Sequence, residues 1–309
     1  MPVDPQIQAL LDLRAKLPPL HTLSVADARQ QMAARDIPGL RIPDVASVVN
    51  RDMQGPAGSL PLRIYMPRGE GPFPLMVFFH GSGFVVCDLD THDSICRNLC
   101  AGADCVVVSV DYRLAPEHKF PAATEDCLAA TQWVAQNASA LRGDASRIMV
   151  AGDSAGGNLA AVTALRARDE GGPRLIGQML IYPVTIYHQP ATPSMVENAE
   201  GFGLTREGMI WFWNHYVRSP VDGVHPHASP LRASTLAGLP QALVFTAEYD
   251  PLRDEGEYYA EALNKDGVAV EMKRWGGMNH GFFRFAGIVD KATEANDEAC
   301  IWARRVFGN

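Results

Sequence analysis

The stretch that most restricts the fold is residues 147–158, Arg-Ile-Met-Val-Ala-Gly-Asp-Ser-Ala-Gly-Gly-Asn. The apolar run at 148–151 predicts a buried strand, and the Ala- and Leu-rich segment 159–167 predicts a helix. Between them lies a G-x-S-x-G sequence, which in a strand–turn–helix setting is typical of a nucleophile elbow. The pattern therefore predicts that Ser154 is a strained, accessible nucleophile. The alternative is that Ser154 only caps a glycine-rich helix start.

From residue 74 onward, apolar runs of strand length alternate with segments of helical character. The predicted strands are Leu75–Phe79, Cys105–Val110, Ile148–Ala151, Met179–Tyr182, Ala242–Thr246 and Val268–Arg274, and the predicted helices lie at 92–101, 122–138, 155–168 and 252–265, with a last one ending near Val306. Before them, strands at 47–53 and 60–66 are joined by a Gly-Pro-Ala-Gly turn into a predicted hairpin. This alternation predicts an α/β fold whose mostly parallel sheet is covered by helices on both faces. The functional site of such a sheet lies beyond the carboxyl ends of its strands.

A serine nucleophile needs a base, and the base needs an acid that orients it. His280 is the candidate base because it follows the last predicted strand, within Gly-Gly-Met-Asn-His-Gly-Phe at 276–282. Asp250 is the candidate acid because it follows the strand at 242–246, although an Asp before a proline also predicts a helix N-cap. The order Ser, Asp, His along the chain is the one expected for this architecture.

Other ionisable residues near these positions have plainer interpretations. His80 also follows a strand, but its glycine-rich continuation suits an anion-binding loop better than a base. His225 and His227 flank a proline in a predicted loop, and two histidines alone do not make a metal site. Asp254 and Glu255 fall in the first turn of a predicted helix, where the helix dipole explains them. We therefore expect no metal.

Two segments outside the alternation predict a cover over the site. Residues 1–45 contain short predicted helices at 7–17 and 25–34, broken by prolines and more amphipathic than a core segment. Residues 184–226 contain an aromatic helix, Thr205–Tyr216, which predicts a lid, with an ordinary core helix as the alternative. The predicted organisation is an N-terminal arm at 1–45, a catalytic domain at 46–183 and 227–309, and a cap insertion at 184–226.

Four residues of the insertion are candidate walls of a substrate pocket. Tyr187 lies just past the sixth predicted strand, and Met209, Ile210 and Phe212 belong to the aromatic helix. A stripe of this kind also arises from plain packing.

The composition excludes several classes of partner. A formal net charge of -8 over 309 residues argues against binding to nucleic acid or to an anionic membrane. The N-terminal residues show no signal-peptide pattern, and no apolar run approaches the length that spans a bilayer. The six cysteines contain no C-x-x-C pair, which favours reduced thiols and a cytoplasmic location.

Five motifs follow one another between about residues 75 and 283. They are His80-Gly81-Ser82-Gly83-Phe84, Asp111-Tyr112-Arg113-Leu114-Ala115-Pro116-Glu117, Gly152-Asp153-Ser154-Ala155-Gly156-Gly157, Asp250-Pro251-Leu252-Arg253-Asp254-Glu255-Gly256 and His280-Gly281-Phe282. Together they resemble the bacterial hormone-sensitive-lipase-like (family IV) carboxylesterases of the α/β-hydrolase superfamily. The resemblance implies a Ser154–His280–Asp250 triad, a helical cap built from the arm and the insertion, and cleavage of short- to medium-chain acyl or aryl esters without a cofactor. It also implies that a homodimer can form through the last strand.

The chain departs from the family pattern at one position. The family loop is usually His-Gly-Gly-Gly, and Ser82 replaces its middle glycine. By resemblance, the oxyanion donors are the backbone amides of Ser82, Gly83 and Ala155. A backbone N–H survives the change to serine, so we expect a retained oxyanion hole. We expect the added hydroxyl to narrow the pocket or to supply a second donor, and so to alter acyl or alcohol selectivity.

Two other functions would use the same residues. An amidase, formamidase or lactonase would share the triad, because a fold does not determine the leaving group. A ligand-binding receptor on a hydrolase scaffold, like the plant hormone receptors that resemble this family, would lack part of the triad. All three residues are present here, so we predict a serine esterase acting on a small-molecule ester.

Overall fold

The computed structural model describes residues 2–33 and 37–308, and its described strands form one eight-stranded sheet in the order β1-β2-β4-β3-β5-β6-β7-β8. The strands are β1 (Ser47–Gly55), β2 (Gly58–Met66), β3 (Phe73–Phe79), β4 (Val106–Val110), β5 (Gly143–Asp153), β6 (Leu175–Ile181), β7 (Gln241–Tyr249) and β8 (Val270–Asn279). The neighbours from β4 to β8 pair in parallel, whereas the β1–β2 hairpin joins the β4 edge antiparallel. The predicted mostly parallel α/β sheet is confirmed.

Helices cover both faces of this sheet. They are α1 (Pro5–Arg14), α2 (Val25–Ala33), α3 (Asp93–Ala103), α4 (Ala122–Gln136), α5 (Ala155–Asp169), α6 (Pro193–Glu197), α7 (Arg206–Tyr216), α8 (Pro220–Gly223), α9 (Arg253–Lys265) and α10 (Asp290–Phe307). Helices α4, α5 and α9 pack on one face, and α3 and α10 pack on the other. Along β3, Val77 and Phe79 belong to the first core and Met76 and Phe78 to the second, as the two-residue period of a strand requires.

Several element boundaries differ from the predicted ones. The helix predicted at 7–17 ends at Arg14, because Pro18 disfavours helical geometry in the residue before it. The helix predicted at 25–34 is α2, and the last predicted residue, Ala34, lies outside the described residues. The last strand starts at Val270 and runs on to Asn279, so it delivers His280 directly at the sheet edge. None of the described helices is both long and apolar enough to cross a membrane.

Candidate active site

Ser154 lies in a sharp turn between β5 and α5. Its backbone has φ 57° and ψ -120°, a left-handed conformation that is strained for a residue with a side chain. A Cβ on Gly156 would collide with the carbonyl oxygen of Phe79, and a Cβ on Gly152 with that of Gly156, so the turn requires glycine at both positions. Ser154 precedes the helix but its hydroxyl makes no capping hydrogen bond, which disfavours the helix-cap alternative.

His280 and Asp250 are brought together by the pairing of two strands. Tyr249 of β7 pairs with Asn279 of β8, so the residues that follow, Asp250 and His280, leave the sheet side by side. His280 Nδ1 donates to Asp250 Oδ2 at 2.7 Å, and Ser154 Oγ donates to His280 Nε2 at 2.9 Å. The carboxylate accepts from Nδ1, so Nε2 is the ring nitrogen that accepts the serine proton.

Asp250 uses both of its oxygens. It is fully buried, and Oδ1 accepts from the amide of Leu252 at 2.8 Å while Oδ2 faces His280. The sequence context of Asp250 predicts the N-cap of a helix, and this prediction is wrong. Pro251 and Leu252 form a turn first, and α9 begins only at Arg253. The hydrogen bond from the backbone amide of Leu252 nevertheless orients the carboxylate.

The glycine-rich loop after β3 approaches Ser154 from the neighbouring strand. Phe79 pairs with Gly152, which places the Ser82 and Gly83 loop beside the serine. Ser82, Gly83 and Ser154 all line one cavity, and the amides of Ser82 and Gly83 donate to no other group in the described part of the chain. Ala155 is buried at the first position of α5 and is not among the cavity-lining residues.

The Ser82 hydroxyl is directed into the protein. Its oxygen lies 2.5 Å from the hydroxyl oxygen of Tyr112 and accepts from the amide of Phe84 at 2.8 Å. Tyr112 donates its single proton to the carbonyl oxygen of His80 at 2.6 Å, so Ser82 must donate its own proton to Tyr112. The hydroxyl proton therefore does not point toward the cavity. Of the two expected effects of this serine, a narrower pocket or a second donor, the second donor is not found.

Asp153 and His80 are buried next to the glycine-rich loop that contains Ser82 and Gly83. Asp153 Oδ1 accepts from the amide of Gly81 at 2.8 Å and lies 3.3 Å from His92 Nε2. Burial alone would raise the pKa of Asp153, but His92 and the Gly81 amide lower it overall. His80 is fully buried and stacked on Tyr112, and burial lowers its pKa to about 3. His80 is thus a neutral packing residue. It is not a base, which agrees with the interpretation of its sequence context.

A cavity of about 350 Å³ opens above Ser154 and His280. Among the predicted walls, Met209 and Phe212 line it. Tyr187 does not, because its ring packs on Trp213 and against Gly223. Ile210 is also outside the lining, since the residue after Met209 on a helix points to a different side.

The cavity has walls that the sequence reasoning did not identify. They come from the arm, the insertion and the loop after His280: Leu10, Leu11, Leu13, Arg14, Leu17, Leu20, Met32, Ile37, Pro38, Leu204, Trp213, Arg284 and Phe285. The amphipathic pattern of the arm was the one available signal that it packs over another part of the chain.

Two acidic residues of α9 tie the insertion to the catalytic strands. Glu255 Oε1 accepts from the amides of Thr185 at 2.7 Å and Ile186 at 3.3 Å. Asp254 Oδ2 accepts from the amide of Ser194 at 2.7 Å. Both carboxylates are buried, so the helix dipole is only part of their role. Burial raises the pKa of Glu255 to about 8, although the two amides oppose this shift.

With this geometry in place, comparison with known proteins identifies the class. A family model described as the alpha/beta hydrolase fold matches residues 76–284. The chain belongs to this α/β-hydrolase family, in its hormone-sensitive-lipase-like branch, as the five motifs indicate.

Similar proteins carry a more specific activity. The chain is 46% identical over 278 residues to Esterase LipI of Mycobacterium tuberculosis, covering 88% of this chain and 86% of the relative. It is 44% identical over 295 residues to Carboxylic ester hydrolase LipN of the same organism, covering 91% and 77%. A hyperthermophilic esterase from the archaeon Pyrobaculum calidifontis superposes with a TM-score of 0.95 at 42% identity, covering 99% of both chains. The chain is an enzyme of the carboxylic ester hydrolase class, and a serine esterase as predicted.

Proposed function

We propose that Ser154, His280 and Asp250 are the catalytic triad of this esterase and that it works through an acyl-enzyme. The observation that carries the proposal is the continuous hydrogen-bonded chain from Ser154 Oγ through His280 to Asp250, at 2.9 and 2.7 Å. Asp250 is fully buried, which keeps its carboxylate in place against the imidazole.

In the first half of the reaction, His280 Nε2 takes the proton of Ser154 as Oγ attacks the ester carbonyl carbon. The resulting oxyanion accepts hydrogen bonds from the amides of Ser82, Gly83 and Ala155. His280 then gives its proton to the leaving alcohol oxygen as the bond from carbonyl carbon to that oxygen breaks. In the second half, water gives a proton to His280 and attacks the acyl carbon, and Ser154 leaves with that proton.

We further propose that the arm at 1–45 and the insertion at 184–226 form a cap over the catalytic parts at 46–183 and 227–309. Support comes from the cavity lining, to which both segments contribute apolar side chains such as Leu10 and Met209. A cavity of about 350 Å³ with mostly apolar walls suits a small ester with a short- to medium-chain acyl or an aryl group.

The decisive experiment is hydrolysis of para-nitrophenyl esters from acetate to palmitate by the wild-type protein and by Ser154→Ala. We expect turnover to peak at short acyl chains and to fall by about 10⁴-fold or more in the variant, because the nucleophile is gone. Ser59→Ala, an exposed serine of the hairpin, is the matched control and should keep wild-type rates. Turnover of amides or lactones but of no ester would favour the alternative hydrolases, and saturable ligand binding without any turnover would favour a receptor.

Two wider assignments complete the proposal. We place the enzyme in the cytoplasm, on the support that five of its cysteines are buried as thiols, and cell fractionation tests this.

We place a homodimer contact at β8, the strand at the end of the sheet, where Met272 is 46% exposed. Sedimentation of the wild type and of Met272→Lys tests it, and a monomer at all concentrations would contradict it.

A further inference from the structure

Two arginines line the mostly apolar cavity above the candidate triad. Arg14 is in the last turn of α1, and Arg284 is four residues beyond His280 in the short helical turn Phe282–Phe285. Both side chains are partly buried. The arm and the His280 loop thus both contribute an arginine to the lining of the cavity that contains Ser154.

Neither guanidinium is neutralised by the protein within residues 2–33 and 37–308. Arg14 has no hydrogen bond or ion pair there, and Arg284 has only a distant contact with Phe285, whose ring centroid lies 5.8 Å from its guanidinium carbon. The carboxylate that lines the cavity, Asp153, already accepts from Gly81 and contacts His92. Burial and the nearby charge of Arg284 lower the pKa of Arg14, and Cys87 partly opposes this shift.

An uncompensated pair of like charges at a partly buried wall is unfavourable, and an anion bound between them would remove that cost. The pair does not reflect a generally basic protein, since the chain has a formal net charge of -8. Guanidinium is the side-chain group that matches a carboxylate best, because its planar donors can bind both oxygens. The wall is therefore suited to hold the carboxylate end of a bound molecule.

We propose that the substrates of this enzyme are carboxylic esters that also carry a free carboxylate, which Arg14 and Arg284 bind while Ser154 attacks the ester carbonyl. This inference rests on the proposed function, because it uses the same cavity and the same nucleophile. The remaining walls, such as Leu11 and Phe212, are apolar and accommodate the uncharged part of the molecule.

The test compares matched pairs of esters that differ in one charge. Para-acetoxybenzoate and para-tolyl acetate place the carboxylate, or a methyl group, on the alcohol side. The mono-para-nitrophenyl ester of adipic acid and para-nitrophenyl hexanoate do the same on the acyl side. For each pair, the ratio of kcat/KM for the charged ester to that for the neutral ester is measured in the wild type, Arg14→Gln and Arg284→Gln.

We expect the ratio for at least one pair to fall about tenfold or more in each variant, mainly through KM, since a charge-assisted hydrogen bond is lost. The pair that responds assigns the side on which the carboxylate lies. Arg284→Lys should retain part of the preference because the charge remains. The matched control is Arg305→Gln, which changes an exposed arginine of α10 that pairs with Glu271 of β8, and it should leave every ratio unchanged.

Equal ratios in the wild type and both Gln variants, with the folded state verified by circular dichroism, would overturn the carboxylate proposal. Continued hydrolysis of the neutral esters that depends on Ser154 would then leave the proposed function standing. Loss of Ser154 dependence for every ester would instead overturn the proposed function, so the two failures are distinguishable.

Discussion

At the scale of single residues, Ser82 shows how one replacement in a glycine-rich loop is accommodated. Its hydroxyl donates to Tyr112 and accepts from the amide of Phe84, so it links the loop to the buried Tyr112–His80 contact. A glycine here would leave the Phe84 amide and the Tyr112 oxygen without this partner. By this link the serine would position the neighbouring loop amides, which are the proposed oxyanion donors.

Ser82→Ala tests this role. We expect kcat for para-nitrophenyl butyrate to fall about tenfold with little change in KM, because two hydrogen bonds that hold the loop are lost at a net cost of about 1 kcal/mol each. Steady-state kinetics measures the split, and Tyr112→Phe should produce a similar loss because it removes the acceptor of the serine proton. An unchanged kcat in both variants would contradict the positioning role.

At the scale of elements, the glycine-rich loop after β3 and helix α7 meet at Gly83. A Cβ at this position would overlap the ring of Phe212, and its backbone has φ 54°, which favours glycine. The loop and the aromatic helix therefore pack closely only because this residue lacks a side chain. The shape of the cavity wall depends on that contact.

Gly83→Ala should lower kcat/KM about tenfold or more, because both the loop and α7 must move to admit the methyl group. Left-handed strain contributes about 1–2 kcal/mol of destabilisation in addition. Gly171→Ala is the matched control, since Gly171 has φ 69° but no atom near its missing Cβ, and it should show the strain without the loss of activity. Adding Phe212→Ala to Gly83→Ala should restore part of kcat/KM, and no restoration would argue against the clash.

The contact between α9 and the start of the insertion should make stability depend on pH. Burial raises the pKa of Glu255 to about 8, so the folded protein keeps a proton that an unfolded glutamate releases at lower pH. This contribution to stability is complete below the unfolded pKa and is lost as the pH rises through about 8.

In Glu255→Gln this pH dependence disappears. We therefore expect the difference in free energy of unfolding, variant minus wild type, to increase by about 1 kcal/mol or more from about pH 5 to pH 8. Urea denaturation at each pH measures it. Glu298→Gln, an exposed residue that pairs with Lys273, is the control and should track the wild type. A constant difference between Glu255→Gln and the wild type across this range would contradict the raised pKa.

At the scale of the whole molecule, Arg29 joins the N-terminal arm to the loops that follow β3 and β4. It donates to both carboxylate oxygens of Glu117 at 2.8 and 2.7 Å, and to the carbonyl oxygens of Val85 and Ala115. The hydrogen bonds from Arg29 lower the pKa of Glu117 to about 2, so this pairing weakens only in strong acid. Helix α2, which carries Arg29, also contributes Met32 to the cavity wall.

Arg29→Gln should release the arm without unfolding the sheet. We expect amide hydrogen exchange in α2 to rise by about tenfold or more, and KM for para-nitrophenyl butyrate to rise several-fold as the cavity wall loosens. Arg218→Gln, which breaks the surface pair with Asp222, is the control and should leave exchange in α2 unchanged. Unchanged exchange in Arg29→Gln would show that apolar packing alone holds the arm.

The type and order of the main elements were predictable because they depend on local patterns. The run that became β3 is apolar without interruption, and only Ser109 interrupts β4. Such a composition is expected of a strand that is buried on both faces. The ends of elements were less predictable. The extension of β8 to Asn279 depends on a partner, Tyr249 of β7, that is remote in the sequence.

The residues of the candidate site also fall into those that the sequence could predict and those that it could not. Ser154, Asp250 and His280 could be selected because each follows a predicted strand, and parallel strands end at one edge. Arg14 and Arg284 could not, since each has an ordinary local context, one at a helix C-terminus and one beside a phenylalanine. Tyr187 was predicted as a wall from its place after the sixth predicted strand, and Ile210 from its place in the aromatic helix. The directions of their side chains exclude both from the cavity lining.

The sequence by itself thus determined the fold class, the elbow at Ser154 and the order of the three candidate triad residues, because backbone sterics and the periodicity of apolar residues act over a few positions. The tertiary structure alone decided which charges line the cavity, where the Ser82 hydroxyl points and how the arm is fastened. Those features depend on contacts between residues distant in the chain, such as Arg29 with Glu117 and Ser82 with Tyr112.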